Sequence, residues 1–291
     1  MTLPARLRLG RIDVRALAPT LAAAAVFVVL FREPATTLVR DWWHDPEAGH
    51  GLLLAPLAVY LAWKVGVRPD ARPAHLAGLG LLAAAVLLRY LAGLAAELFT
   101  LRLSMLGAAA GLVVFGWGFG QLRRWWLPAS LLVLSVPVPA VVLGSVAFPL
   151  QLKASQFGAS LLAWRHVPVQ LAGNVINLPG RSLFVTEACS GLRSLTALIA
   201  LGLLVGGLWL RSPLSRLVLL ASTLPVAILL NGFRVFLTGF LVHYVDPALG
   251  DGFMHYTEGW AIFVIAFGIL GLMAWGLGAV EHTLGRRSSH A

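Results

Sequence analysis

The sequence predicts an all-α integral membrane protein of about eight transmembrane helices with one small β-hairpin outside the membrane. Three observations carry that reading. Hydrophobic residues make up 59% of the 291 positions and charged residues only 12%, roughly half the charge of a soluble domain. The apolar residues fall in long runs of about 20, the length that crosses a bilayer as a helix. The basic residues sit in the short loops between the runs, where they set orientation. The formal net charge of +10 therefore does not indicate nucleic acid, because no basic stripe or patch accompanies it.

The apolar runs place spans at about 16–31, 51–66, 76–96, 103–120, 125–144, 191–210, 217–242 and 259–280. The first follows the basic residues Arg6, Arg8, Arg11 and Arg15. That resembles a signal peptide, but no clear small-residue cleavage site follows, and Phe31-Arg32-Glu33-Pro34 ends the run. It reads as a retained first span. Trp42, Trp43, Trp125 and Trp126 suit interfacial belts. No linker, low-complexity tail or internal repeat divides the chain, so residues 1–290 form one polytopic domain.

With the N-terminus inside, Arg6, Arg8, Arg11, Arg15, Lys64, Arg68, Arg72, Arg123, Arg124, Arg211, Arg216, Arg286 and Arg287 fall on the inner side. Only Arg32, Arg40, Arg102, Lys153, Arg165 and Arg181 fall outside, a bias of thirteen to six. Arg89, Arg193 and Arg234 lie within spans. Both termini are expected in the cytoplasm. The longest outer segment, about 145–190, opens with Phe148 to Trp164, whose Gln151, Lys153, Ser155 and Gln156 suit an amphipathic interfacial helix. Val169-Gln170-Leu171 and Val175-Ile176-Asn177-Leu178 then precede Pro179-Gly180 and Ser182-Leu183-Phe184-Val185-Thr186, the pattern of a small hairpin.

The hairpin leads to Cys189, the single cysteine. An intrachain disulfide and a multi-cysteine metal site are thereby excluded. A lone cysteine is by itself more often a small buried hydrophobe than a nucleophile. This one precedes a predicted helix at the outer face, where unpaired N–H groups and the helix dipole favour thiolate. Arg193, four residues on, adds positive charge one turn deeper.

Arg234 is a guanidinium inside an apolar run, a costly placement that ordinarily marks a wet cavity or a partner. Asn231 stands three residues before it, on the same face. Such a cation can stabilise an oxyanion; the alternatives are snorkelling or a tie to a helix end. His255 lies in the predicted outer loop Asp246 to Glu258, with Glu258 three residues later to orient it, and is a candidate acid or base. His243 and Asp251 are rivals there. His50, followed by Gly51, with His44 and Asp45 nearby, is a candidate for a structural or substrate-lining role. No HExxH metal motif occurs.

Charge bias thus puts a thiol, a guanidinium and an imidazole at one face, the parts of thiol acyl transfer. The stretch Glu187-Ala188-Cys189-Ser190-Gly191-Leu192-Arg193-Ser194-Leu195, then Asn231-Gly232-Phe233-Arg234, then His255 before a last span resembles the exosortase/archaeosortase family. Gly49-His50-Gly51 before an apolar span, and Pro179-Gly180 before the cysteine motif, fit it as well. The resemblance covers about residues 40–280. It implies a membrane cysteine protease or transpeptidase resembling a sortase in chemistry, with Cys189 as nucleophile, Arg234 as catalytic arginine and His255 as catalytic histidine. It also implies secreted protein substrates bearing a short C-terminal motif such as Pro-Glu-Pro, a transmembrane helix and a basic tail. The expected site is extracytoplasmic, on the inner membrane, with an unspecified acyl acceptor, no metal and no organic cofactor. A transporter, or a scaffold for polysaccharide export in which Cys189 is incidental, is the competing expectation; an intramembrane metalloprotease would need clustered ligands that the spans lack.

Overall fold

In the computed structural model, which describes residues 14–45, 48–185, 192–246 and 253–288, the chain is helical with one small sheet. Side chains at the starts of its last three-helix group, residues 192–194 and 253–260, are outside that description. The helices are α1 (Val14–His44), α2 (Gly51–Val65), α3 (His75–Leu94), α4 (Leu98–Arg124), α5 (Trp126–Leu134), α6 (Ala140–Trp164), α7 (Leu192–Trp209), α8 (Pro213–Tyr244) and α9 (Phe253–Ser288). Among the described residues, five stretches are long and apolar enough to cross a membrane: Ala22–His44, His75–Leu94, Leu98–Arg124, Pro213–Tyr244 and Val264–Thr283. Gly51–Val65 and Leu195–Trp209 are apolar but shorter. Their outer surfaces carry exposed Val29, Leu53, Trp63, Leu76, Leu272 and Trp275. So many large apolar side chains facing outward suit lipid rather than water.

Three expectations change. The first apolar run does not stop at Pro34. Helix α1 bends at Phe31 (φ −107°, ψ 16°) and continues to His44. Pro34 has no N–H for the Leu30 carbonyl, and proline inside a helix ordinarily breaks it. Here Arg89 Nε of α3 donates to Leu30 O at 2.6 Å, so an in-span arginine satisfies the acceptor and the helix survives as a kink. Second, the run at 125–144 is not one span. Helix α5 ends at Leu134 after nine residues, because Pro137 and Pro139 remove donors and Val136 and Val138, each before a proline, are turned from the helical region. Third, the expected interfacial helix at 148–164 starts earlier, at Ala140. It is not among the helices apolar enough to span.

The predicted hairpin is a three-stranded antiparallel meander: β1 (Gln170–Ala172), β2 (Val175–Leu178) and β3 (Arg181–Phe184). Leu171 pairs with Ile176, and Leu178 with Arg181. The Pro-Gly turn falls where expected, with Gly180 at φ 82°. The added strand turns at Gly173 (φ 64°). Buried Ile176 and Leu178 set the sheet on α6 and α8, in a cluster with Ala159, Leu162, Val235 and Val242.

Packing of the second half fixes the site. Close contacts of small residues bind α6 to α8, as is common between membrane helices. A Cβ on Gly158 would stand 2.6 Å from Val235 Cγ1, one on Gly239 2.8 Å from Leu162 Cδ1, and one on Gly232 would collide with Phe157. Helices α7 and α8 form an antiparallel hairpin, with Gly206 against Leu219 and Gly202 against Thr223. Glu281, near the far end of α9, accepts from the backbone N–H groups of Arg211 (3.0 Å) and Ser212 (2.9 Å) in the α7–α8 turn. That bond places the late part of α9 beside the turn. The start of α9 therefore lies at the other end, with the start of α7 and the end of α8.

Candidate functional site

Arg234 is buried, 9% exposed, and Asn231 is buried at 6%. Ala227, Asn231 and Arg234 recur at helical spacing and share one face of α8. Ala227 packs with Leu195 and Leu198 of α7 and Ala266 and Leu270 of α9. Asn231 and Arg234 continue that face toward the start of α7. The Gly206–Leu219 and Gly202–Thr223 register, carried on at the same spacing, brings the turn holding Arg234 level with the first residues of α7. Gly232 and Val235, on the adjoining face, meet α6 instead. Thr238 Oγ1 donates to the Arg234 carbonyl at 3.0 Å. Arg234 is about ten residues, ~15 Å of helix, from the last residue of α8. A snorkelling arginine would sit nearer the end and be exposed.

Cys189 and Glu187 lie outside the described residues, as does Asp251. Arg193 is the second residue of α7. Helix α9 begins at Phe253, so His255 stands in a first helical turn rather than in the expected loop. Glu258 follows it on the same helix. His243 is half-buried near the end of α8, its ring edge-on to Tyr244 at 4.7 Å. Antiparallel packing thus collects the helix start that follows Cys189, the Arg234 turn and the His255 turn at one end of the bundle. The sheet closes over that end through Val235 and Val242.

His50 reaches the same end from the first half of the chain. Its Nε2 is 3.1 Å from the Leu134 carbonyl at the end of α5. Beside it lies a mostly apolar cavity of about 170 Å³, lined by Asp45, His50, Phe99, Leu134, Leu143 and Thr196 among others. Thr196 belongs to the second turn of α7, so the cavity borders the helix that Cys189 precedes. His44 is exposed, and its Nδ1 donates to Arg40 O at 3.0 Å. No group of three His, Cys, Asp or Glu residues suited to a metal occurs among the described residues.

The sequence reading missed the pinning of the broken α5 end. Besides the His50 contact, Trp42 Nε1 donates to Ser135 O at 2.7 Å. The Val136-Pro137-Val138-Pro139 repeat was the signal that could have exposed it, because it orphans helical carbonyls. It also missed the ion pair between Asp41 and Arg102 at 2.6 Å, with Arg102 3% exposed, which ties α1 to the first turns of α4.

Among known proteins, a family model described as transmembrane exosortase (Exosortase_EpsH) matches residues 42–272. No curated protein and no solved structure matches the chain.

Proposed function

Because the chain belongs to the transmembrane exosortase family, we propose that it is a membrane cysteine peptidase or transpeptidase that removes the C-terminal sorting tail of secreted proteins. The observation that supports this most is the antiparallel arrangement of α7, α8 and α9. A buried arginine inside a lipid-facing bundle is costly. This one lies level with the helix start that follows the only cysteine and at the same end as the His255 turn. A scaffold has no need of that coincidence.

In the proposed reaction the substrate's transmembrane tail lies against the bundle and its motif reaches the end bearing the sheet. The Cys189 thiolate attacks a peptide carbonyl carbon and forms a C–S bond. The carbonyl oxygen becomes an oxyanion beside the Arg234 guanidinium, which stabilises it. His255 gives a proton to the departing amine as the C–N bond breaks, leaving a thioester. The same imidazole then takes a proton from an acceptor amine or water, which attacks the thioester and frees the thiolate. Arg193 holds the thiol toward its ionised form. Asn231 and Glu258 orient Arg234 and His255. The arginine bias puts this end outside the inner membrane and both termini in the cytoplasm.

The test is processing in cells of a secreted reporter that ends in a Pro-Glu-Pro motif, a transmembrane helix and a basic tail. Cys189→Ala abolishes tail removal while the protein still reaches the membrane at its normal level. Continued cleavage by Cys189→Ala refutes the proposal and leaves the scaffold reading in its place.

A further inference from the structure

The chemistry at the far end of α5 is unusual for a span. The helix stops at Leu134, and two carbonyls beyond its last full turn lose their ordinary partners. Ser135 O would accept from residue 139, which is Pro139 and has no N–H. Leu134 O would accept from Val138, which precedes a proline and is turned from the helical region. A carbonyl left bare in an apolar layer is costly, because no water reaches it there. Trp42 Nε1 supplies one hydrogen, to Ser135 O at 2.7 Å. The His50 Nε2 contact of 3.1 Å supplies the other. A carbonyl oxygen only accepts, so Nε2 carries the hydrogen in this contact.

The glycine after His50 belongs to the same device. A Cβ on Gly51 would overlap the Trp42 indole, lying 2.6 Å from its Cε2. Only a glycine lets the indole lie close enough to α2 for its N–H to meet Ser135 O. Two donors from α1 and the start of α2 thus fix the broken end of α5. That end is one wall of the 170 Å³ cavity, with Val133, Leu134, Val136, Pro137 and Val138 along it. Leu143 of α6 and Thr196 of α7 line it as well.

We infer that His50 is a positioning residue: with Trp42 it fixes the α5 end as the wall of a subsite that takes one apolar side chain of the substrate segment. The inference rests on the proposed peptidase reading. Size and continuity name the occupant. An apolar cavity of about 150 Å³ holds a benzene-sized group, and this one lies beside the second turn of α7 at Thr196, seven residues along the chain from Cys189. A whole helix or a lipid tail is too large for it; a single proline ring or branched aliphatic side chain is not.

The experiment uses the full chain in cells with the same reporter, alongside its alanine-substituted motif variants and with Cys189→Ala as control. His50→Leu removes the donor and slows processing by about a hundredfold, the effect of an approximately 1 Å misplacement. His50→Gln keeps an N–H at similar reach and restores most of the rate, with the wild-type pH profile. Leu143→Trp fills the cavity and suppresses cleavage of the intact motif far more than of one alanine variant. Membrane levels of each protein are measured, so loss of folding is not read as loss of rate. If His50→Gln is as slow as His50→Leu, or loses a limb of the pH profile, His50 is an acid or base and the inference fails. It fails also if Leu143→Trp slows every reporter equally. In both cases a dead Cys189→Ala control leaves the peptidase reading standing; a live one overturns that reading itself.

Discussion

Arg89 and Arg234 both sit in apolar helices, yet they do different things. Arg89 answers a backbone need. Its Nε donates to Leu30 O, the carbonyl that Pro34 leaves without a helical donor, and its guanidinium lies 6.0 Å from the Phe31 ring centre. Arg89→Leu should lower stability by about 1–3 kcal/mol, the cost of a buried acceptor left bare. Pro34→Ala restores the N–H, so the double variant should recover much of that loss in a thermal unfolding series in detergent. Two losses that simply add would show that the bond has no such role. Arg234 has no proline to answer, and its face of α8 points to the start of α7. Arg234→Gln should cut tail removal by about 10²–10³, the cost of one oxyanion donor, at an unchanged membrane level. Both arginines were visible in the sequence as charges in apolar runs. Their roles were not, because the acceptor for Arg89 lies 59 residues away in the chain and only packing brings it near.

Elements begin and end where specific groups dictate. Helix α4 starts after Glu97, whose carboxylate accepts from the N–H groups of Phe99 (2.9 Å) and Thr100 (2.6 Å). A hydrogen bond from the Thr100 side chain, with these backbone bonds and the charge of Arg102, holds the Glu97 carboxyl below its usual range despite partial burial. A carboxyl whose folded value is lowered stabilises the fold above its unfolded value, about 4.3, and loses that contribution as pH falls through the folded value. The thermal stability of wild type over Glu97→Ala should therefore be constant near neutrality and shrink below about pH 4.3; a gap that widens in acid would contradict the cap. The Pro-Gly turn between β2 and β3 was legible from local residue types; the start of α4 at Leu98, five residues before the expected span, was not. The end of α5 and the continuation of α1 through Pro34 were not, because there a distant donor decides whether a proline ends a helix or bends it. The first strand of the meander was marked by Val169-Gln170-Leu171, but its place as a third strand was not. Only three residues long and exposed, it exists by pairing with β2 rather than by its own pattern.

Across the whole molecule, two ends can be followed from contact to contact. At one, Arg124 donates to Val65 O, Arg216 stacks 4.9 Å from the Trp126 ring and Glu281 meets the α7–α8 turn. Most of the described arginines assigned to the inner side by charge bias gather there. At the other, Asp41 meets Arg102, His50 meets the α5 end, and Thr196 of α7 shares a cavity with Asp45 and Phe99. Charge alternation made this two-ended plan legible from sequence. The number of spans was less so, since hydropathy cannot separate a half-length helix such as α5 from a crossing one. In the proposed enzyme the thiol, guanidinium and imidazole share the second end. Cys189 is the only cysteine, so His255→Cys creates a single thiol pair in the full chain. A short bis-maleimide linker, read by proteolysis between α8 and α9 on a denaturing gel, should join residues 189 and 255 and should not join Cys189 to a cysteine placed at His282 of α9, beside the α7–α8 turn. A bridge from Cys189 to position 282, with none to position 255, would contradict that arrangement.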